Sequence, residues 1–258
     1  MDRNRCVTVT HEGAVSTVTF DAPPQNLLDI DLMDRLVQAH LEADAHPRTQ
    51  VIVTRSAVPE VFSHGLDPLY VLALAPADRP PVFHAIGRVL HHLFALAKPH
   101  ITVVSGAALA GGAILAIPSD FRYFDAEHGR ISFTEVKVGL PLPEPVCGVI
   151  AHFCTPSMLR DIVLGKNLDA REAVAAGLGD GMATGAALET MVAKQIERLT
   201  RVSPAVLRTT KHYLRRQLLA QTAEFMKGDA LFESFVGDDF LGEGLRALVD
   251  GRRPRFTR

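Results

Sequence analysis

The sequence predicts an α/β fold that continues into a helical C-terminal region. Up to about residue 143, short runs rich in β-branched residues alternate with glycine turns and helical stretches. This alternation is typical of strands that are covered by helices. From about residue 144 onward, the apolar residues recur at helical spacing only. We expect a core that carries the ligand site over residues 1–200 and includes the first of these helices, and a separate C-terminal helical segment over residues 201–258.

The individual elements follow from local composition. Strands are predicted where β-branched residues cluster between turn-forming residues, over residues 15–20, 50–54, 101–105, 121–124 and 130–133. Helices are predicted where apolar residues repeat every three or four positions, over residues 29–45, 82–97, 113–117, 170–176, 186–199, 204–221 and 241–249. Residues 66–74 are expected to form a helical turn or a short helix. Two strand–turn–helix units, over residues 50–74 and 101–117, share one plan.

Composition excludes several classes of protein. The 258 residues are 47% hydrophobic and 22% charged, which is typical of a globular protein with a large core. The net charge of −2 provides no basic field for nucleic acid or for a membrane surface. Three cysteines without metal-ligand spacing argue against a disulfide framework and a zinc site. The sequence thus favours a cytoplasmic protein without a transmembrane helix, a nucleic-acid partner or a bound metal.

Two glycine turns are the strongest local signals for a binding site. They cover residues 62–67 and 106–112, and each follows a predicted strand and opens onto a helical stretch. A helix start leaves backbone N–H groups without partners and favours negative charge, and glycine permits a close approach. Neither turn has the lysine of a phosphate-binding loop. Taken alone, each turn is most simply an ordinary strand–helix connection.

Several motifs, in order along the chain, resemble those of the enoyl-CoA hydratase/isomerase (crotonase) superfamily. The matching segments are Asn26-Leu27-Leu28 (NALN-like), residues 62–67 (FSAGxD), residues 106–112 (GxAxGGG), Asp120 (CD), residues 134–140 (PExxLGL) and residues 240–256 (EGxxAFxxxRxPxF). The sequence departs from these motifs at Ala110, which stands at the first glycine of GGG, at His64, which replaces an alanine, and at Ser119, which replaces the cysteine of CD. The resemblance covers nearly the whole chain.

The resemblance implies a spiral of ββα units, with a C-terminal helical segment that mediates trimer contacts and trimers that pair into hexamers in many members. It implies an acyl-CoA substrate, with coenzyme A as part of that substrate and no redox cofactor. The oxyanion-binding N–H groups of the family correspond to those of Leu66 and Gly111. His64, Asp67 and Ile114 are candidate substrate-binding residues. For His64 the alternative is a packed or solvent-facing side chain, and for Asp67 it is a turn cap.

The glutamate positions favour one reaction of the family. Family hydratases carry two glutamates, and the first corresponds here to Ile114, while the second is retained as Glu135. Hydration needs one group to activate water and another to supply a proton, whereas moving a double bond needs one base that carries a proton. The pattern therefore resembles that of Δ3,Δ2-enoyl-CoA isomerases. A buried Glu135 beside an isoleucine is expected to have a raised pKa.

Three alternatives remain open at the sequence level. Glu144, between two prolines, is a second candidate for the catalytic base, although a solvent-facing loop carboxylate is the simpler interpretation. The alternatives to an isomerase are an enoyl-CoA hydratase or another crotonase-type enzyme, and an acyl-CoA binding protein without catalysis. Lys211, Arg215 and Arg216 share one predicted helix, where a solvated basic face is favoured over contact with CoA phosphates.

Overall fold

The computed structural model describes residues 6–256, and the strands of this part form two sheets. In chain order, the strands are β1 (Cys6–Glu12), β2 (Val15–Asp21), β3 (Val51–Ser56), β4 (Val61–Ser63), β5 (His100–Val104), β6 (Ala107–Leu109), β7 (Phe121–Asp125), β8 (Arg130–Ser132), β9 (Leu168–Asp169) and β10 (Gly181–Ala183). The larger sheet has the order β1-β2-β3-β5-β7-β10, and the smaller one has the order β4-β6-β8-β9.

Eleven α-helices are found within the same described residues. They are α1 (Ile30–Ala45), α2 (Pro68–Ala73), α3 (Pro80–Ala95), α4 (Gly111–Ala116), α5 (Glu144–Phe153), α6 (Pro156–Val163), α7 (Ala170–Ala176), α8 (Gly185–Thr200), α9 (Pro204–Phe225), α10 (Ala230–Val236) and α11 (Asp239–Val249). Short 3₁₀ turns cover Pro76–Asp78 and Glu135–Val138. The predicted α/β organisation with a helical C-terminal region is confirmed.

One structural unit recurs three times and explains the two-sheet architecture. In each repeat, one strand joins the larger sheet, the next joins the smaller sheet, and a helical turn follows. The repeats are β3–β4–α2, β5–β6–α4 and β7–β8 with the turn Glu135–Val138. Successive units pair in parallel within both sheets. The shared order of strand, glycine turn and helix predicted the first two units from the sequence. The third unit was not predicted, because it lacks a glycine turn of this kind.

Most of the core lies between these sheets and the surrounding helices. The main cluster of buried side chains joins α1 and α3 to the smaller sheet and to α4, and it extends to α9, α10 and α11. A second cluster, centred on Val53, Ile101 and Val192, lies between the larger sheet and α8. Because the main cluster includes residues on both sides of position 200, the C-terminal helices share the core of the preceding part.

Two features of the C-terminal region differ from the sequence prediction. Residues after 144 were expected to be entirely helical, but β9 and β10 are short strands at sheet edges. They span two and three residues, which is too short for a period-two pattern to appear. Lys211 and Arg215 were expected on a solvated face, but both are buried beside Asp120. None of the helices over residues 6–256 combines the length and the hydrophobicity that a membrane span requires.

Candidate active site

Three consecutive turns of the spiral meet at one edge of the smaller sheet. Strands β4, β6 and β8 are neighbours and run parallel, so their carboxyl ends lie at the same edge. Leu66 follows β4, Gly111 follows β6, and Glu135 follows β8. All three residues line one cavity. The two sequence-predicted oxyanion donors and the predicted base are therefore brought together by the parallel register of three short strands.

The first two turns are in direct contact, and glycine makes that contact possible. Gly65 has a φ of +85°, and a Cβ there would lie 2.8 Å from both the Gly111 nitrogen and the Leu109 carbonyl oxygen. The Gly111 Cβ position is in turn 3.4 Å from the Gly65 Cα. Gly112 packs so closely on the Ser63 carbonyl that a methyl group would overlap it. Residues 65 and 111 are thus held within van der Waals distance.

The N–H groups of Leu66 and Gly111 have no acceptor among the described residues. The N–H groups of the adjacent residues, in contrast, have acceptors: the Asp67 N–H donates to the Leu28 carbonyl at 2.9 Å, and the Ala110 N–H donates to the Ser132 carbonyl at 2.8 Å. Gly111 is the first residue of α4, where backbone N–H groups lack helical partners. Two adjacent donors are therefore available to one oxygen atom of a ligand.

Asn26 fixes the first glycine turn, a role that was not predicted. Its amide nitrogen donates to the Phe62 carbonyl at 2.8 Å, and its own carbonyl accepts the Ser63 hydroxyl at 2.8 Å. The Ser63 hydroxyl oxygen also accepts the Gly65 N–H at 3.1 Å. Asn26 is buried with a φ of +48°, a conformation that asparagine tolerates better than most residues. Its place in the NALN-like segment was the available signal.

Glu135 lines the same cavity as the glycine turns and is nearly enclosed. It begins the 3₁₀ turn after β8, its side chain is 5% exposed, and it lines the cavity. Its Oε2 has no hydrogen-bond partner in the described residues. Burial raises the pKa of this carboxyl group from 4.5 to about 7, while its own backbone N–H acts in the opposite direction. Such a group can accept and release a proton near neutral pH.

The remaining walls of the cavity are mostly hydrocarbon. Ile114, which is 3% exposed, faces the cavity from α4 at the position of the missing glutamate. The other apolar lining residues are Val71, Phe83, Ile86, Val138, Leu140, Pro143, Phe232, Leu241, Leu245 and Leu248. His64 and Glu135 are the titratable side chains among the lining residues within 6–256. This environment suits an apolar chain next to one proton-exchanging group.

The other candidate residues have different positions. His64 lines the cavity, and partial burial lowers its pKa, which favours the neutral ring. Asp67 does not line the cavity but caps α2, where its Oδ1 accepts the N–H groups of Leu69 and Tyr70 at 2.9 and 3.2 Å. Glu144 is exposed in the first turn of α5, outside the cavity lining. Between the two carboxylates, the geometry favours Glu135.

The C-terminal wall of the cavity was not anticipated. Phe232 of α10 and Leu241 and Leu245 of α11 line it, although they follow Glu135 by about a hundred positions. The helical spacing of these leucines predicted a buried face but not its partner.

Among residues 6–256, no group of three or more His, Cys, Asp or Glu side chains is arranged to hold a metal ion.

Comparisons with known proteins agree with this geometry. The family model described as "Enoyl-CoA hydratase/isomerase" matches residues 10–258. A relative named putative enoyl-CoA hydratase, from Thermus thermophilus, is 32% identical over 256 residues, covering 95% of this chain and 98% of the relative.

Solved structures show the same fold. Human mitochondrial Δ3,Δ2-enoyl-CoA isomerase superposes with a TM-score of 0.89 at 20% identity, covering 95% of this chain and 97% of that one. An enoyl-CoA hydratase from Mycobacterium avium subsp. paratuberculosis gives a TM-score of 0.82 at 22% identity, with 98% of both chains covered. With a family match over nearly the whole chain and a shared fold, this protein belongs to the enoyl-CoA hydratase/isomerase family.

Proposed function

We propose that this chain is an enoyl-CoA isomerase that moves a double bond of an acyl-CoA from C3 to C2. The observation that carries the proposal is the pairing of Glu135 with Ile114. One carboxyl group with a pKa near 7 lines the cavity, and an isoleucine stands where a second glutamate would be needed for hydration. A single carboxylate is sufficient for a proton shuttle between two carbons.

The proposed reaction has two balanced steps. The Glu135 carboxylate removes a proton from C2 of the 3-enoyl thioester, and the electron pair moves into the thioester to form a dienolate. The oxyanion accepts hydrogen bonds from the N–H groups of Leu66 and Gly111, which the glycine contact holds side by side. The protonated Glu135 then returns the proton at C4, leaving the double bond between C2 and C3. The apolar wall, including Ile114, keeps water away from the dienolate.

Hydration of 2-enoyl-CoA is the second candidate reaction. The Thermus thermophilus relative, 32% identical, is named a putative enoyl-CoA hydratase. His64 also provides a second titratable side chain at the cavity. If His64 held a water molecule opposite Glu135, the pair would perform the two tasks that two glutamates perform in family hydratases.

The two reactions are separated by supplying each substrate to the purified protein. We expect rapid conversion of 3-enoyl-CoA to trans-2-enoyl-CoA, followed by the absorbance of the conjugated thioester, and slow or no loss of that absorbance when trans-2-enoyl-CoA is supplied. Rapid hydration of trans-2-enoyl-CoA without isomerisation of 3-enoyl-CoA would reject the isomerase. If both thioesters bind without turnover, the chain is a binding protein instead.

A further inference from the structure

The turn that carries Glu135 is in direct backbone contact with α11. Gly139 ends this turn with a φ of +76°, and a Cβ there would lie 2.9 Å from the Phe240 carbonyl group. On the other side of the contact, Gly244 leaves no room for a side chain, because its Cβ would overlap the Val138 carbonyl. Neither contact has a flexible side chain between the two segments. A shift of α11 is therefore transmitted directly to the turn.

An ion pair ties the last described residues to α11. Both Glu243 carboxylate oxygens accept from the Arg252 guanidinium, at 2.6 and 2.9 Å, and the Arg255 backbone N–H donates to the same carboxylate at 2.9 Å. The two hydrogen bonds from Arg252 lie in the fork geometry that is the strongest arrangement for this pair. The Phe240 and Phe256 rings meet edge to face at 5.9 Å. Glu243, Arg252, Phe240 and Phe256 are called the C-terminal clasp below.

The clasp and the cavity are joined through one helix. Leu241 and Leu245 of α11 line the cavity, while Glu243 and Gly244 lie between them on the faces that contact Arg252 and Val138. The Phe256 ring also approaches Gly139, since a Cβ on that glycine would be 3.0 Å from it. Two residues of the clasp, Phe240 and Phe256, thus contact the end of the Glu135 turn at Gly139.

We propose that Glu243 and Arg252 are positioning residues, whose ion pair closes the C-terminal tail on α11 and so holds the turn that carries Glu135. The inference depends on the proposed function only where Glu135 is treated as the proton carrier. Glu243 and Arg252 do not line the cavity, and they act through the Gly244–Val138 and Gly139–Phe240 contacts. A small displacement of a reacting group is enough to slow chemistry by up to about a hundredfold.

The chain offers a matched control for this ion pair. Arg55 and Glu189 form an equally short, two-bond pair at 2.6 and 2.8 Å, and it joins β3 to α8 away from the cavity. We would compare Glu243→Gln with Glu189→Gln, since each replaces one carboxylate by an isosteric amide. Arg252→Lys is the conservative variant, because it keeps the charge but loses the fork geometry.

The first test is kinetic. We expect Glu243→Gln to lower kcat by about tenfold or more while KM changes little, because the ligand-facing donors remain in place. The acid limb of the kcat profile should move toward lower pH as water reaches Glu135. Arg252→Lys, which keeps the charge, should retain more kcat than Glu243→Gln, and Glu189→Gln should match the wild type. Wild-type kcat and pH profile in Glu243→Gln, or equal losses in Glu189→Gln, would overturn the proposal.

The second test does not need a known reaction. Amide hydrogen exchange, measured by mass spectrometry, should rise in residues 133–142 in Glu243→Gln but not in Glu189→Gln. Unchanged exchange in that segment would show that the clasp does not hold the turn. A wild-type protein that turns over no acyl-CoA would instead reject the proposed function and leave this comparison intact.

Discussion

Two buried regions of the molecule use a carboxylate in opposite ways. Asp120, just before β7, accepts from the Lys211 ammonium and the Arg215 guanidinium, each at 2.7 Å, and from the backbone N–H of His100 at 2.8 Å. Glu135 has no cationic partner among the described residues, and its Oε2 has no hydrogen bond at all. Asp120, which accepts from three donors, is a structural carboxylate, whereas Glu135 lines a cavity without a cationic partner and is available for chemistry.

The two regions also differ in what burial does to their charges. For Glu135, burial raises the pKa to about 7. For Lys211, burial lowers the pKa to about 8, and the Asp120 carboxylate acts in the opposite direction. The Asp120 carboxylate contacts both cations and so offsets part of the cost of burying Lys211 and Arg215. The Glu135 region keeps a carboxyl group whose charge is easily gained and lost.

The largest expected effect belongs to Glu135→Gln. We expect activity to fall about 10²–10⁴-fold, because the amide cannot transfer a proton. Above pH 7, the free energy of unfolding of the same variant should be about 3 kcal/mol higher than that of the wild type, because the variant lacks a charge that burial disfavours. Activity assays and urea unfolding at pH 8 measure both quantities. A variant that lost stability as well as activity would place Glu135 with the structural carboxylates.

Asp120→Ala should show the opposite pattern. It leaves the Lys211 and Arg215 charges buried without their carboxylate, and breaking such a cluster costs about 3–5 kcal/mol of unfolding free energy. The rate per folded molecule should be unchanged, because the cluster does not line the active-site cavity. Unfolding in urea, combined with activity normalised to the folded fraction, tests this. A loss of kcat in the folded fraction would contradict the separation of the two regions.

Gly65→Ala tests the backbone side of the cavity. A methyl group would lie 2.8 Å from the Gly111 nitrogen, and φ at this position is +85°. The two N–H donors should therefore separate, with a loss of about 2.7–4 kcal/mol of transition-state stabilisation, as when one oxyanion donor is removed. We expect this loss in kcat/KM, measured on folded protein. Wild-type kcat/KM in this variant would mean that the two donors do not act on one oxygen.

The pH dependence separates activity from stability. The activity needs ionised Glu135, so kcat/KM should rise with pH through about 7. The contribution of Glu135 to stability has the opposite pH dependence, because folding favours the protonated carboxyl group. This contribution is fully present below pH 4.5 and is lost as the pH rises through about 7. His40 is buried with its pKa lowered to about 4, so its contribution is lost as pH falls from 6.5 toward 4.

Unfolding experiments over pH 4–9 on the wild type and Glu135→Gln test these signs. The alkaline decline in stability should disappear in the variant, while the acidic decline should remain. An alkaline decline of equal size in both proteins would assign it to another group.

The smallest expected effect is that of Ala110→Gly. Ala110 has a φ of +47° and precedes the Gly111 donor, so an alanine here occupies a region that favours glycine. The substitution should stabilise the fold by about 1 kcal/mol, because the backbone strain that it removes costs more free energy than the extra conformational entropy that glycine gives to the unfolded chain. Thermal unfolding measures the change. A destabilised variant would mean that the Ala110 methyl group supplies packing that outweighs the strain.

Local signals marked the two glycine turns, and the family resemblance assigned the N–H groups of Leu66 and Gly111 to an oxyanion. The strand–turn–helix rhythm marked the segments around Gly65 and Gly111, since glycine is required by the contact between them. The family resemblance, rather than any local pattern, identified Glu135, and it left Glu144 as an alternative. Burial separates these two carboxylates, and burial depends on residues far away in the chain.

Long-range pairing explains most of what the sequence did not predict. Lys211 lies 91 positions from Asp120, so its basic helix face appears solvated until the partner is known. The apolar face of α11 was predicted, but not that it closes the cavity and contacts the Glu135 turn. The trimer implied by the resemblance stays a prediction for solution measurements.

The most direct test of the central claim follows the hydrogen itself. A 3-enoyl-CoA carrying deuterium at C2 is converted by the wild type and by Glu135→Gln, and the product is analysed for label at C4. We predict that the wild type delivers deuterium to C4, because one enclosed carboxyl group carries it, and that the variant forms product at least about a hundredfold more slowly. Product formed by the variant at the wild-type rate, with only solvent hydrogen at C4, would contradict the account.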